Sequence, residues 1–367
     1  MYFLCTGCKK EITSPSKPVW LCNCGNPLEV HYSWENKIHT IDVDDSKSSL
    51  WRYNAVLPNV KQTITLGEGH TPLIPIGENI LLKDETVNPT GSFKDRGMAL
   101  AVTMAKAQGV QNICLPSAGN AGISAAAYCK KAEISCHVYL PETIPEPFKK
   151  ETEKYGAEII LSGETISDAA KQMLNEKKEG WFDISTLKEP FRVEGKKTLG
   201  YEIAEQLGWE FPDVIIYETG GGTGLIGMWK AFLELKGLGW VKGKLPKMVA
   251  AQSDGCAPVV KAFQNLDNKT EFWENSNTIA LGLNVPGPLG GSWILDILYK
   301  SNGIAIPVSE NELSDLTEEL NGLANLNASA EAGVVWGAYN TLLNMNWINQ
   351  NQKVVLFATG VERCKFK

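Results

Sequence analysis

Histidine is scarce in this chain of 367 residues: His31, His39, His70 and His137 are the whole supply. So few imidazoles argue against a histidine triad or an imidazole metal centre. No apolar run approaches the roughly 18 residues that a membrane-spanning helix needs, and the opening MYFLCTGCKK places its lysines after a short apolar stretch. A signal peptide, an anchor and a membrane partner are therefore not expected. Positive charge is in deficit too, with 35 Lys+Arg against 42 Asp+Glu for a formal charge of −7 and no basic patch. Such a balance repels a phosphate backbone, which excludes nucleic acid as the expected partner. Internal repeats and low-complexity tracts are missing, while 43% hydrophobic and 21% charged residues rule out disorder.

At roughly 150 residues per domain the length suggests two to three domains. Nine cysteines, an odd number without an export signal, point to the reducing cytoplasm rather than to a disulfide framework. Cys5, Cys8, Cys22 and Cys24 fall in the first 24 residues and the rest are scattered. Two close pairs separated by a loop can offer four thiolates to a tetrahedral structural zinc, although CNC is shorter than the usual spacing. A reduced, metal-free cluster is the alternative. Residues 37–49 are polar and read as a connector.

From about residue 81 short apolar runs alternate with longer amphipathic ones. Strands are expected at 80–83, 112–115, 135–140, 158–161, 214–217, 248–251, 304–308 and 354–358, and helices at 93–108, 121–132, 147–155, 197–207 and 225–235. Ser309 and Glu312 form a capping-box pattern. The fold class expected is α/β with largely parallel sheets, and ligands in such folds sit beyond the carboxyl ends of strands. Cys114, Cys129 and Cys136 read as buried small hydrophobes, and Trp229, Trp240, Trp293 and Trp336 as packing residues. The charge run at 171–179 reads as a solvated helix end.

Three loops occupy ligand positions. TGGGTG, Thr219 to Gly224, lies between an apolar strand and an apolar helix, so backbone N–H groups converge there as an anion site. Gly222, Gly224 and Gly227 satisfy GxGxxG, which raises a nicotinamide site, but the acid expected after the next strand is not in place and a single phosphate fits better. TGSFKDRG, from Thr90, puts Lys94 at a helix start, where the helix dipole disfavours its ammonium form. A surface lysine is the plain reading; an amine poised to form Schiff bases is the functional one. The third loop is SAGNAG, Ser117 to Gly122.

LGEGHTPL, LKDETVNPTGSFKDRG, SAGNAG, EPFRVEGKKT, TGGGTG and the final ATG, in that order, resemble the threonine synthase branch of the fold type II pyridoxal phosphate enzymes. The cysteine-rich start is similar to the zinc-ribbon leader of some members. The resemblance implies a leader at 1–40, a large cofactor-binding α/β domain from 41–96 with 189–367, and a small α/β domain at 97–188, with the cofactor between the two α/β domains. It implies that Lys94 carries pyridoxal 5'-phosphate covalently and shuttles protons at the substrate, that Phe93 lies against the cofactor ring, and that Asn120 holds its phenolic oxygen. Gly220, Gly221, Gly222, Thr223 and Gly224 would bind the phosphate. Thr359 would face the pyridine nitrogen with a neutral hydroxyl, which need not protonate it. Ser117, Ala118, Gly119 and Asn120 would bind the substrate carboxylate through backbone N–H groups. Arg192 would bind the substrate phosphate, its alternative being a surface ion pair with Glu189 or Glu194.

The activity implied is conversion of O-phosphohomoserine and water to threonine and phosphate, by γ-elimination and then β-addition. The expected partners are a small amino-acid substrate and, as an assembly, a homodimer. Departures bear on the substrate. Ala118 and Ala121 stand where many members carry hydroxyls, Thr186 and Leu187 where many carry Asn-Ser, and His70 where many carry Asn. With the glycine-rich phosphate loop, these changes keep open a serine/threonine dehydratase-like β-eliminating lyase.

Overall fold

The computed structural model describes residues 1–13, 20–34 and 42–364. The first elements are β1 (Tyr2–Cys5), β2 (Glu11–Thr13), β3 (Leu28–His31), β4 (Leu73–Pro75) and β5 (Ile80–Asp84). Then come α1 (Lys94–Ala107), β6 (Asn112–Pro116), α2 (Asn120–Ala132), β7 (Ser135–Leu140), α3 (Glu146–Lys154), β8 (Glu158–Leu161), α4 (Ile166–Glu176), β9 (Phe182–Asp183) and α5 (Phe191–Gln206). The remainder is β10 (Val214–Glu218), α6 (Thr223–Gly237), β11 (Lys247–Ser253), α7 (Pro258–Gln264), α8 (Gly291–Lys300), β12 (Ile304–Val308), α9 (Leu313–Ala324), α10 (Glu331–Asn344) and β13 (Val354–Ala358).

The chain forms two compact units, Met1–Gly69 with Asn88–Lys196 and His70–Val87 with Lys197–Lys367. In the first unit a parallel sheet runs β8-β7-β6-β9 and a small antiparallel sheet runs β2-β1-β3. α1 buries every residue from Asp95 to Ala105, which its small side chains (Gly97, Ala99, Ala101, Ala105) allow on all faces. The chain leaves β6 toward β7 on one side while β9 lies on the other, so the residues after β6 open onto a switch point in strand order.

The cysteine-rich leader does not stand apart. Phe3, Cys5, Leu28 and Val30 share one core with Met98, Leu100 and Phe191, Phe3 meeting Phe191 edge-on at 5.8 Å. Trp20 Nε1 donates to the Asp183 carbonyl at 2.9 Å, and the Tyr32 hydroxyl donates to Glu194 at 2.6 Å. A sheet of three short strands cannot bury a face against itself, and each large apolar side chain it buries in the unit's core stabilises by about 1.5–3 kcal/mol. The compact units thus divide differently from the expected domains: the leader, 42–69, 88–96 and 189–196 all group with the first unit. The expected boundary at 40/41 and the first part of the connector at 37–49 lie outside the described residues.

The second unit holds a six-stranded sheet ordered β12-β11-β10-β13-β5-β4, parallel except for the edge strand β4. β10 (VIIYE) and β13 (VVLFA) are buried at every position, as central strands covered on both faces must be. The chain leaves β10 toward β11, whereas β13, its other neighbour, arrives from the end of the sequence. That makes the carboxyl ends of β10 and β13 the unit's own switch point.

All eight expected strands form, with ends shifted by two residues at most. Two expectations need correction. The helix expected at 197–207 begins at Phe191, because Glu189 receives the Phe191 and Arg192 amides at 2.9 and 2.8 Å and starts it six residues earlier. Ser309 makes no side-chain cap: Glu310–Glu312 form a 3-10 turn before α9, and the Glu310 carboxylate is drawn instead to the Ser253 hydroxyl and the Ile279 amide. A capping box does form at Thr165 and Asp168, ahead of α4. Trp293 is half-buried, while Trp229, Trp240 and Trp336 pack inside as expected.

Candidate active site and metal centre

Local chemistry explains why TGSFK is held rigidly. Asp95, buried in the first turn of α1, accepts from the Thr90 amide at 2.7 Å, the Thr90 hydroxyl at 2.5 Å and the Ser124 hydroxyl at 2.6 Å. Burial raises its pKa to about 6 against the pull of these donors. One carboxyl thus ties the loop to both α1 and α2. Lys94, the first residue of α1, is half-buried, and its Nζ lies 4.2 Å from the centroid of the Phe93 ring. The Lys196 amine lies 4.4 Å from the same ring and is 1% exposed. Desolvation, then the charges of Lys94 and Arg192, hold the Lys196 pKa well below the ordinary lysine value.

Arg192 is also 1% exposed, so a surface ion pair is not what forms. Glu189 spends its carboxylate on backbone amides, and Glu194 receives Tyr32. Among the described residues the guanidinium donates from Nη1 to the Ile184 carbonyl at 2.9 Å, and its buried Nε meets no acceptor. An unmet donor on a buried cation costs stability unless an acceptor reaches it. Burial pushes the pKa of Arg192 down to about 10, and it remains a cation at neutral pH.

At the switch point after β6, Ser117 is buried and its Oγ accepts from the Gly119 and Gly122 amides at 3.2 and 2.9 Å. Those two N–H groups are therefore engaged within the loop. Asn120 opens α2.

In the second unit Thr219 anchors the glycine loop. Its amide donates to Ala251 at 2.8 Å, and Gln252 Nε2 donates to its carbonyl at 2.8 Å. Gly222 sits at φ +76, where a Cβ would meet Ile294 Cδ1 at 2.3 Å. A Cβ on Gly224 would meet the Tyr217 hydroxyl at 2.1 Å. Side chains are excluded there, leaving a bare backbone cradle that feeds the first turn of α6. Glu218 ends β10 and Thr359 directly follows the neighbouring strand β13, and both are buried. Among the described residues neither Glu218 oxygen meets a donor at full bonding geometry, though the Thr359 hydroxyl and amide lie near it.

The four leader cysteines do assemble. Their sulfurs lie within 4.8 Å of one another, with Cys5–Cys24 at 3.4 Å and Cys8–Cys22 at 3.6 Å. Tetrahedral zinc with Zn–S of about 2.3 Å needs S···S near 3.8 Å, so the set fits a structural metal. The Cys8 amide points at Cys5 Sγ, 3.4 Å away, and Asn26 Nδ2 at Cys24 Sγ, 3.4 Å away, which supports the sulfurs as thiolates.

The family model described as pyridoxal-phosphate dependent enzyme matches residues 64–360. The chain belongs to the pyridoxal-phosphate dependent enzyme family. It is 31% identical over 356 residues to a threonine synthase of Methanocaldococcus jannaschii, covering 93% of this chain and 88% of that one. With a threonine synthase of Methanosarcina acetivorans it shares 30% identity over 372 residues, covering 98% and 91%. Among solved structures, a fungal L-serine ammonia-lyase from Rhizomucor miehei superposes with a TM-score of 0.71 at 20% identity, over 82% of this chain and 96% of that one. The last is a likeness of fold. The cofactor of a pyridoxal-phosphate dependent enzyme is pyridoxal phosphate, and each unit by itself holds residues of a kind suited to it: in the first a half-buried amine on an aromatic ring, in the second a glycine cradle at a helix start.

Sequence reasoning passed over two groups. Lys196 lay in plain view in EGKKT, but only the fold buries its amine beside Phe93. Glu218 was signalled by an acid closing an otherwise apolar strand immediately before the glycines.

Proposed function

We propose that this protein is a threonine synthase, converting O-phosphohomoserine and water to threonine and phosphate. The observation that carries the reading is the reach of the likeness: 30% identity to the M. acetivorans threonine synthase over 98% of this chain, leader included. The chemistry supplied by pyridoxal phosphate when bound is an electron sink for carbanions next to the amino-bearing carbon.

The chain's own residues do the rest. Lys94 tethers the cofactor aldehyde and moves protons at the substrate Cα and Cβ, its amine held in place by the Asp95 anchor behind it. Phe93 lies against the ring and Asn120 holds the phenolic oxygen. Gly220, Gly221, Gly222, Thr223 and Gly224 bind the cofactor phosphate through backbone N–H groups, and Thr359 faces the pyridine nitrogen. Ser117, Ala118, Gly119 and Asn120 form the carboxylate-binding turn, in which Ser117 Oγ already engages the Gly119 amide. Arg192 takes the substrate phosphate, which supplies an acceptor for its unmet Nε. The cytoplasm is the proposed location. Among the described residues no helix is long and apolar enough to cross a membrane. A homodimer is the proposed assembly.

A dehydratase-like β-eliminating lyase is the second reading, favoured by the missing hydroxyls at Ala118 and Ala121. Two assays separate them. O-phosphohomoserine should yield equal amounts of phosphate and threonine, while threonine should yield little 2-oxobutyrate and ammonia. Turnover in the second assay alone overturns the first reading.

A further inference from the structure

We propose that Lys196 is a second ligand of the substrate phosphate beside Arg192, its buried amine taking up a proton from solvent as the phosphate dianion enters. The inference rests on the functional reading above, in which Arg192 takes that phosphate.

Packing fixes both side chains. Arg192 and Lys196 stand one helical turn apart on the same face of α5, and each is 1% exposed. α5 crosses α1 so closely that a Cβ on Gly195 would lie 2.0 Å from the Arg96 carbonyl oxygen. One on Gly97 would lie 3.0 Å from the Arg192 carbonyl oxygen and 3.1 Å from Lys196 Cε. Glycine at 97 thus gives the lysine stem its path to the Phe93 ring, which the amine meets at 4.4 Å and Lys94 meets as well. Arg192 is tied through Nη1 to Ile184, and among the described residues its buried Nε meets no acceptor. The site is therefore built, and its guanidinium still has a bond to give.

The charges that bear on the Lys196 amine are those of Lys94 on α1 and Arg192 on α5, both positive. Arg96, the next cation of α1, is buried. The acids of these segments are engaged by other donors: Asp95 by Thr90 and Ser124, Glu194 by Tyr32, and Glu189 by the Phe191 and Arg192 amides. Asp183 on β9, which bears on Arg192, accepts from Ser185 and Lys188. An amine desolvated among cations is cheapest uncharged, in keeping with its lowered pKa. A phosphate dianion reverses the local sign and favours the ammonium, whose donors, with Arg192 Nε, meet the phosphate oxygens. The step balances. One proton leaves solvent, an N–H bond forms from the lone pair of Nζ, and both changes are undone when phosphate departs. No electrons are gained or lost.

The test titrates inorganic phosphate into the full chain loaded with pyridoxal phosphate. Calorimetry at about pH 8, in two buffers of different ionisation enthalpy, counts the protons taken up. Wild type should take up about one proton per phosphate bound, and its affinity should fall by about tenfold over the next pH unit. K196Q should bind phosphate more weakly, with no uptake and no such fall. Phosphate that binds wild type without proton uptake overturns the proposal, and so does an uptake of equal size in K196Q. If K196Q fails to fold, the wild-type count still decides, and K196R, charged throughout, should bind with no uptake. A wild-type protein that binds no phosphate, or one whose phosphate affinity is unchanged in R192K, overturns instead the functional reading beneath the inference.

Discussion

In the first unit the groups that suit an anion are side-chain cations: Lys94 and Lys196 both lie against the Phe93 ring, and Arg192 lies close enough to depress the Lys196 pKa. In the second unit they are backbone amides on bare glycines, accompanied by a hydroxyl and a buried acid. Cations placed together in low dielectric repel one another, so the first unit is prepared to gain from a ligand that brings negative charge. Amide dipoles carry no net charge and cost little to bury once a phosphate meets them. The first arrangement is adjustable in protonation and suits groups that react; the second is fixed by backbone and suits a group that is only held.

Substitutions can break that contrast, beginning with the largest effect. Lys94→Ala should remove the visible absorbance of tethered cofactor and lower turnover by more than about a thousand-fold, the scale of a lost proton-transferring group. Retained absorbance would move the tether elsewhere. Removing the metal comes next. Chelation, or Cys5→Ser with Cys8→Ser, should eliminate one zinc per chain and destabilise the first unit by several kcal/mol, read by metal analysis and thermal unfolding. A wild-type protein purified with no metal and unchanged by added zinc would contradict it.

Gly222→Ala tests the passive side of the comparison. It forces a Cβ to 2.3 Å from Ile294 at a positive φ, which should cost about 3 kcal/mol in folding and weaken cofactor binding. An unaltered cofactor Kd would show that the cradle is not where the phosphate sits. Arg192→Lys keeps the charge but loses the planar fork, and should raise KM for O-phosphohomoserine by roughly thirty-fold with kcat nearly unchanged, or about 2 kcal/mol. An equal effect on a substrate without phosphate would separate Arg192 from that group.

The smallest effect concerns pH. Burial holds Glu189 at about 7, above the ordinary 4.5, so the folded chain keeps this proton to higher pH than the unfolded one. The stability it contributes is full below about 4.5 and is lost as pH rises to 7. Against Glu189→Gln, the wild type should therefore lose on the order of 1 kcal/mol between pH 5 and pH 8 in denaturant titrations. A constant difference between the two proteins would mean that Glu189 titrates normally.

Much of this was legible in the residues. Apolar runs such as VIIY and VVLFA declare strands buried on both faces, and Lys94 at a helix start, the glycine loop and the paired cysteines were each visible as local patterns. The misreadings at Ser309 and at the start of α5 both concern helix starts: a 3-10 turn at Glu310–Glu312 replaces the Ser309–Glu312 box, and the Glu189 carboxylate takes up the Phe191 and Arg192 amides. Arg192 flanked by acids looks like a surface residue until tertiary packing buries it and turns those acids to backbone amides and to Tyr32.

The sequence by itself determined the α/β alternation, the family loops and the residue types available for chemistry, because periodicity, glycine content and helix-start patterns act over a few residues. Only the tertiary structure decided that the leader shares the first unit's core, that Lys196 and Arg192 are desolvated, and that Glu218 is buried. Burial depends on contacts between segments far apart in the chain. The energy of a charge is set by what surrounds it, not by its neighbours in sequence.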